Sequence, residues 1–463
     1  MTALKKALAV ADEQLDASLE RLMALIRIPS ISTDPTHAED CRRAAQWLKD
    51  ELDGLGFDAS VRSTELHPMV VAHDRGAPKG VPHVLFYGHY DVQPVDPLEA
   101  WERPPFEPAL VLQPDGETWI TGRGASDDKG QLLTFVEACR AWKAANGALP
   151  LKVSMLFEGE EEIASPSLEP FLAKTRNELQ ADMVLVCDTD MWDRQTPAVT
   201  TVMRGLVGEE ITITAADRDL HSGIFGNAAR NPLQVLADLL ASLRTPDGSI
   251  AIDGFYDDVA ELPEAVRAQW ARLPFDQSAF LGGVGLSQPA GEANRSVLEQ
   301  VWARPSFEIH GIAGGFSGDG FKTVIPSSAR AKVSLRLVDR QDPNKVRAAF
   351  RAHLHARLPQ DCAIAFAEHG TSAATVLPHD GEMLRKTLEA LSEEWETEAA
   401  CAGTGGSIPI LTAFKQQLGM DALLVGFARF DNRVHSPNEK YDLTSYHKGI
   451  RSWLRILDRL AAG

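Results

Sequence analysis

Carboxylate and imidazole side chains recur in this chain where apolar runs end. The densest case is Gly122-Arg123-Gly124-Ala125-Ser126-Asp127-Asp128-Lys129-Gly130. Its glycines let the backbone bend sharply, and two adjacent carboxylates are then delivered to an apolar-periodic run from Leu132 to Trp142. An Asp in front of a helix is often a plain N-cap, but a cap requires neither a second carboxylate nor three glycines. Three further runs end the same way. Val84-Leu85-Phe86-Tyr87 leads into Gly88-His89-Tyr90-Asp91, Leu151 to Phe157 into Glu158-Gly159-Glu160-Glu161-Glu162, and Met183 to Val186 into Cys187-Asp188-Thr189-Asp190. A fourth, Ala422 to Phe427, precedes His435. Carboxylates gathered this closely repel one another unless a cation sits among them.

Two metal ions about 3.5–4 Å apart are the usual answer when several carboxylates and two imidazoles converge, and zinc accepts both donor types. Asp127 is placed to bridge the ions through its two oxygens, with His89, Asp188, Glu162 and His435 completing the two sites. Asp190 is the rival to Asp188. Asp91, two residues after His89, is expected to orient its imidazole. A di-metal pair acidifies water, which then needs a proton acceptor, and Glu161, adjoining Glu162, is the natural base. Any single one of the thirteen histidines is more often structural than ligating, and a Glu-rich turn is most often a solvated corner. It is the joint arrangement that carries the reading.

These groups need a scaffold. Apolar runs of strand length alternate with helical segments, among them 12–27, 38–55 and 382–394, which predicts an α/β sheet with considerable parallel character. In such sheets ligand sites lie outside the carboxyl ends of the strands. After Arg204-Gly205 the pattern changes: Leu206–Ala216 and Ala331–Val338 alternate like half-exposed strands, while residues 245 to 320 give weak signals. The expected organisation is an α/β domain with a mixed, largely parallel sheet, formed by 1–204 and 383–463 and carrying the di-metal site, and an inserted α+β domain at 205–382. At 463 residues the chain is long enough for two domains. A net charge of −19 argues against nucleic acid and anionic membranes. No apolar run approaches the roughly 20 residues of a membrane span. Five scattered cysteines without a C-x-x-C pair, and no signal-peptide pattern, point to the cytoplasm.

The motifs Gly88-His89-Tyr90-Asp91-Val92, Gly124 to Gly130 and Glu158 to Glu162 together resemble the di-zinc aminoacylase/carnosinase/succinyl-diaminopimelate desuccinylase family of metallopeptidases. Asp219-Leu220-His221-Ser222-Gly223, Gly405-Gly406-Ser407-Ile408-Pro409 and His435-Ser436-Pro437-Asn438-Glu439-Lys440 are similar to its carnosinase-like dipeptidase branch. The resemblance implies His89, Asp127, Glu162, Asp188 and His435 as ligands of two divalent ions, zinc foremost, with manganese or cobalt as alternatives. Because the run to Pro197-Ala198-Val199 keeps the family's spacing, the resemblance favours Asp188 over Asp190, and it implies an α/β di-metal hydrolase domain and an inserted α+β lid/dimerisation domain. It further implies Glu161 as general base, His221 as oxyanion-stabilising residue acting across a homodimer, Thr323, Arg336 and Ser407 as substrate-holding residues, and a cis bond between Asp127 and Asp128. Ala164 and Asn227 stand where the family often has Gly. The expected reaction is hydrolysis of dipeptides or short peptides. The rivals are an N-acyl amino acid deacylase on the same site, a non-catalytic binding protein, and a nucleotide-binding α/β protein. The last lacks a G-x-G-x-x-G in the required context.

Overall fold

The computed structural model describes residues 1–377, 381–405 and 409–462. The chain divides into two compact units. The first comprises Met1–Thr201, Leu377–Ala402 and Pro409–Gly463, the second Val202–Val376 with a short stretch that begins at Gly403.

The first unit is built on strands His83–His89, Lys152–Glu158, Met183–Val186 and Ala422–Gly426. Each is an almost unbroken apolar run, as expected for strands covered on both faces. Their order is Lys152–Glu158, His83–His89, Met183–Val186, Ala422–Gly426, and all three pairings are parallel. Antiparallel strands flank them: Met69–Asp74 and Phe57–Arg62 on one side, Ala198–Met203 on the other. Helices Lys129–Asn146 and Leu443–Ala461 pack on this sheet. Trp453 lies edge-on to Phe86, Phe135 and Phe427, and its indole N–H donates to Thr134 Oγ at 3.0 Å, so a large ring is buried without leaving its donor unpaired. The expected helix over 12–27 is Leu15–Ile26, and a further helix, Ala3–Glu13, precedes it.

The second unit is a four-stranded antiparallel sheet ordered Ser306–Gly314, Ser328–Leu337, Gly205–Thr214, Ala363–Ser372. Alternate residues of Ser328–Leu337 (Ala329, Ala331, Val333, Leu335, Leu337) enter a core with helices Pro232–Ala241 and Pro343–His355. The stretch with weak signals holds helices Glu264–Arg272, Gln277–Gly282 and Val297–Trp302 and the strand Ser306–Gly314. That strand was unreadable because it is an edge exposed on both faces from Glu308 onward, so no alternation marks it.

Candidate metal centre

Because the four central strands of the first unit run parallel, their carboxyl ends share one edge, and the polar residues that follow them share it too. His89 ends its strand and pairs in register with Glu158, while Tyr87 pairs with Val186. Glu161 and Glu162 open a one-turn 3₁₀ helix, Glu161–Ile163, directly after Lys152–Glu158. Asp188 follows Met183–Val186 by two residues, and His435 lies on the loop beyond Ala422–Gly426.

The glycine-rich loop brings these groups to one point. Asp128 occupies the N-cap position of Lys129–Asn146 but makes no side-chain cap bond; instead its Oδ2 accepts the backbone N–H of His89 at 3.1 Å. The peptide bond between Asp127 and Asp128 is cis. Gly130 admits no side chain, since a Cβ there would stand 1.9 Å from the carbonyl oxygen of Ala125. Asp127 then presents one oxygen to each imidazole: Oδ1 lies 3.1 Å from His89 Nε2 and Oδ2 2.9 Å from His435 Nε2. His435 Nε2 is also 3.2 Å from Glu162 Oε2, and His89 Nε2 3.8 Å from Asp188 Oδ2. Two ligand groups result, His89-Asp127-Asp188 and Asp127-Glu162-His435, each with donor atoms within 4.8 Å of one another and with Asp127 in both. Asp190 is exposed and in neither group.

The electrostatics ask for cations. Burial, with the charges of Asp128, Asp127 and Glu161 added, drives the Asp188 carboxyl well above its ordinary range despite His89. Burial also pushes Glu161 up to about 7: His89 opposes the shift, while Asp127, Glu162 and Asp91 reinforce it. Asp127 and Glu162 hold His435 up at about 10. Three carboxylates and two imidazoles, with one carboxylate facing both rings, form a donor set suited to two divalent ions of the zinc, manganese or cobalt type.

Asp91 works through more atoms than expected. His89 Nδ1 lies 3.1 Å from the Asp91 backbone carbonyl and 3.4 Å from its carboxylate. The carboxylate accepts the N–H groups of Glu161 and Glu162 at 3.3 and 3.1 Å, tying one imidazole to the adjacent acidic turn. Two supports were missed from the sequence. Gln93 donates to Glu162 Oε2 at 2.7 Å; its signal was the even spacing His89, Asp91, Gln93. Glu439, quoted within a motif but given no role, is buried and accepts the N–H groups of Gly124, Ser126 and Asp127 at 2.9–3.0 Å and the Arg123 guanidinium at 2.7 Å. It pins the loop that carries Asp127.

The other candidate residues lie in the second unit. His221 is exposed at the head of a one-turn helix, Ser222–Phe225; its Nδ1 accepts the N–H of Gly223 at 2.9 Å, which places the proton of the neutral ring on Nε2. Thr323 is its neighbour: the carbonyl of Thr323 accepts the N–H of Ser222 at 3.0 Å. Arg336 is half-buried on strand Ser328–Leu337. Ser407 lies outside the described residues. Ala164 and Asn227 both have left-handed backbone, with φ of 68° and 71°.

The comparisons with known proteins agree in direction. The profile of peptidase family M20/M25/M40 matches residues 85–459. A Cys-Gly metallodipeptidase of Schizosaccharomyces pombe is 30% identical over 479 residues, covering 99% of this chain and 98% of the relative. The Beta-Ala-His dipeptidase of Homo sapiens is 27% identical, covering 97% and 91%. The crystal structure of the M20 family metallo-carboxypeptidase Sso-CP2 from Sulfolobus solfataricus superposes with a TM-score of 0.79 at 30% identity, over 96% of this chain and 99% of that one. By the profile match and by relatives that span nearly its whole length, this chain belongs to peptidase family M20/M25/M40.

Proposed function

We propose that this protein is a dipeptidase dependent on two divalent ions, zinc foremost, and working as a cytoplasmic homodimer. The observation that carries the reading is Asp127 facing His89 with one oxygen and His435 with the other. When bound, such ions supply a Lewis acid for the scissile carbonyl and an acidified water. His89, Asp127 and Asp188 would hold one ion, and Asp127, Glu162 and His435 the other. Glu161, in neither group and held near neutral range, is the proton carrier. As the water oxygen bonds to the amide carbon and the C–N bond breaks, the proton given up by water passes to Glu161 and then to the departing amine nitrogen. His221 of the partner subunit donates from Nε2 to the oxyanion, while Thr323, Arg336 and Ser407 hold the substrate's C-terminal part.

Dipeptides are favoured over N-acyl amino acids because curated relatives spanning the chain are dipeptidases by name. The dimer reading draws support from the edge strand Ser306–Gly314, which leaves Ile309 and Ile312 in solvent. Cytoplasmic residence draws support from five cysteines that form no disulfide among the described residues. The test is metal analysis with a hydrolysis panel of dipeptides, N-acetyl and N-succinyl amino acids. Chelation should abolish turnover and two divalent ions per chain restore it. Full activity after confirmed metal loss, or hydrolysis of the acyl amino acids alone, would overturn the proposal.

A further inference from the structure

Four carboxylates crowd residues 158–162, and two of them, Glu158 and Glu160, are fully buried yet belong to neither ligand group. A buried carboxylate needs partners. Glu158 receives the Tyr87 hydroxyl and, at 3.0 Å, the Ser165 hydroxyl, while its other oxygen has none. Glu160 uses its two oxygens on different segments. Oε1 accepts the backbone N–H of His67 at 2.8 Å and lies 2.9 Å from Thr64 Oγ1, whose single proton the His67 carbonyl also faces at 2.5 Å. Oε2 accepts the backbone N–H of Ser167 at 2.9 Å, just ahead of helix Leu168–Leu179. The first of these segments is itself fixed: His67 Nε2 donates to the Ser32 carbonyl at 3.1 Å, and the Tyr90 hydroxyl to the Pro68 carbonyl at 2.5 Å. Antiparallel pairing of Val70 with Phe157 brings it opposite the acidic turn.

The residue after Glu160 has no such support of its own. The Glu161 carboxylate makes no hydrogen bond or ion pair among the described residues, whereas Glu162 is gripped by Gln93 at 2.7 Å and faces His435 at 3.2 Å. Where the Glu161 side chain stands is therefore decided by its backbone. Asp91 holds that backbone by accepting the N–H groups of Glu161 and Glu162. Glu160, one residue before, supplies the other hold. A proton carrier must sit within hydrogen-bond reach of the water it serves, and a displacement of about 1 Å can cost on the order of 10²-fold in rate.

We propose that Glu160 is a positioning residue for Glu161: by gripping the 64–67 segment with one oxygen and Ser167 with the other, it sets where the proton carrier stands. The inference rests on the hydrolase reading above and adds to it a residue that belongs to neither ligand group. Glu162 needs no such help, since its own carboxylate is held. Loss of the Glu160 anchor therefore acts on turnover and not on metal affinity.

The test compares the metal-loaded protein with Glu160→Gln, which keeps the size but turns one acceptor oxygen into an amide N–H₂ group. Both oxygens face donors, so either orientation sets donor against donor. On a dipeptide, kcat is expected to fall roughly 10- to 100-fold, with KM and the metal affinity read by chelator competition unchanged. Combined with Glu161→Ala, the variant should fall no further than Glu161→Ala alone, because residues that act as a unit are not additive. A merely structural role would add its own loss. Thr64→Val, which removes one donor, should lower kcat by less and remains informative if Glu160→Gln does not fold. Wild-type kcat in every variant that folds, a loss confined to metal affinity, or a full further loss in the double variant overturns the proposal. Hydrogen–deuterium exchange across residues 160–165 separates the anchor from the reaction. Faster exchange in the variants than in wild type supports the anchor even if no dipeptide is cleaved, which would sink the hydrolase reading alone. Unchanged exchange overturns the anchor whatever the activity.

Discussion

Asp127 and Arg336 are both charged groups set near the end of a sheet, and their surroundings could hardly differ more. Around Asp127 carboxylates hold backbone amides in place: Glu439 takes three amides of its loop, Asp128 takes the His89 amide through one oxygen, and Asp91 takes two amides of the acidic turn. In the second unit His221 and Thr323 are exposed and Arg336 is unpaired among the described residues. A cluster of like-charged ligands must be built in advance, because carboxylates stay together only if backbone donors and buried partners hold them there. Residues that grip a substrate need the reverse: their hydrogen-bonding capacity must remain unspent until the ligand arrives.

That contrast can be broken experimentally. The largest effect is expected at Glu161, where substitution by Ala should remove turnover by about 10²–10⁴-fold while metal content stays nearly intact. Glu162→Ala should instead lose an ion, so parallel metal analysis of the two variants separates carrier from ligand. Near-normal kcat in Glu161→Ala would remove this residue from the mechanism.

His221→Ala should cost about 10²–10³ in kcat, the typical loss of one oxyanion donor, without touching metal content. Mixed with Glu161→Ala subunits, it should regain activity, because the subunit with intact Glu161 receives His221 of the partner subunit. Hybrids with confirmed subunit exchange that are as inactive as both parents would place the role of His221 within its own chain or nowhere.

Gln93→Leu probes the built side more gently. Losing a bond that orients a ligand typically weakens metal affinity by about 10–100-fold, read from competition with a chelator. Unchanged affinity would show that Glu162 is held without Gln93.

The smallest effect compares the two left-handed non-glycine residues. Ala164→Gly should stabilise the protein by up to about 1–2 kcal/mol, since an alanine Cβ is strained at positive φ. Asn227→Gly should change little, since Asn visits that region readily. Equal shifts in denaturant midpoint for both would mean that backbone strain does not distinguish the two positions.

The core strands and most of the site were legible in the sequence for one physical reason. A strand buried on both faces is a continuous apolar run, so the point where it stops is visible, and His89, Glu161, Glu162 and Asp188 stand at or within five residues of such stops. The long exposed strand Ser306–Gly314 had no such signature, because an edge in contact with water selects no alternation. Glu439 and Gln93 were quoted or passed over without a role, since accepting loop amides or steadying a neighbouring carboxylate leaves no local pattern.

What the sequence determined by itself, then, is where chemistry-bearing residues follow apolar runs, because hydrophobic burial is encoded locally by residue type and period. Only the tertiary structure decided which of them meet. The parallel order of four strands from distant parts of the chain puts His89, Glu162, Asp188 and His435 on one rim. The loop pinned by Glu439, more than three hundred residues beyond it in the chain, turns Asp127 so that each of its oxygens faces a different imidazole. Likewise Glu160 meets His67 only because antiparallel pairing sets Val70 against Phe157. Register is a property of two strands at once, and no single stretch of sequence carries it.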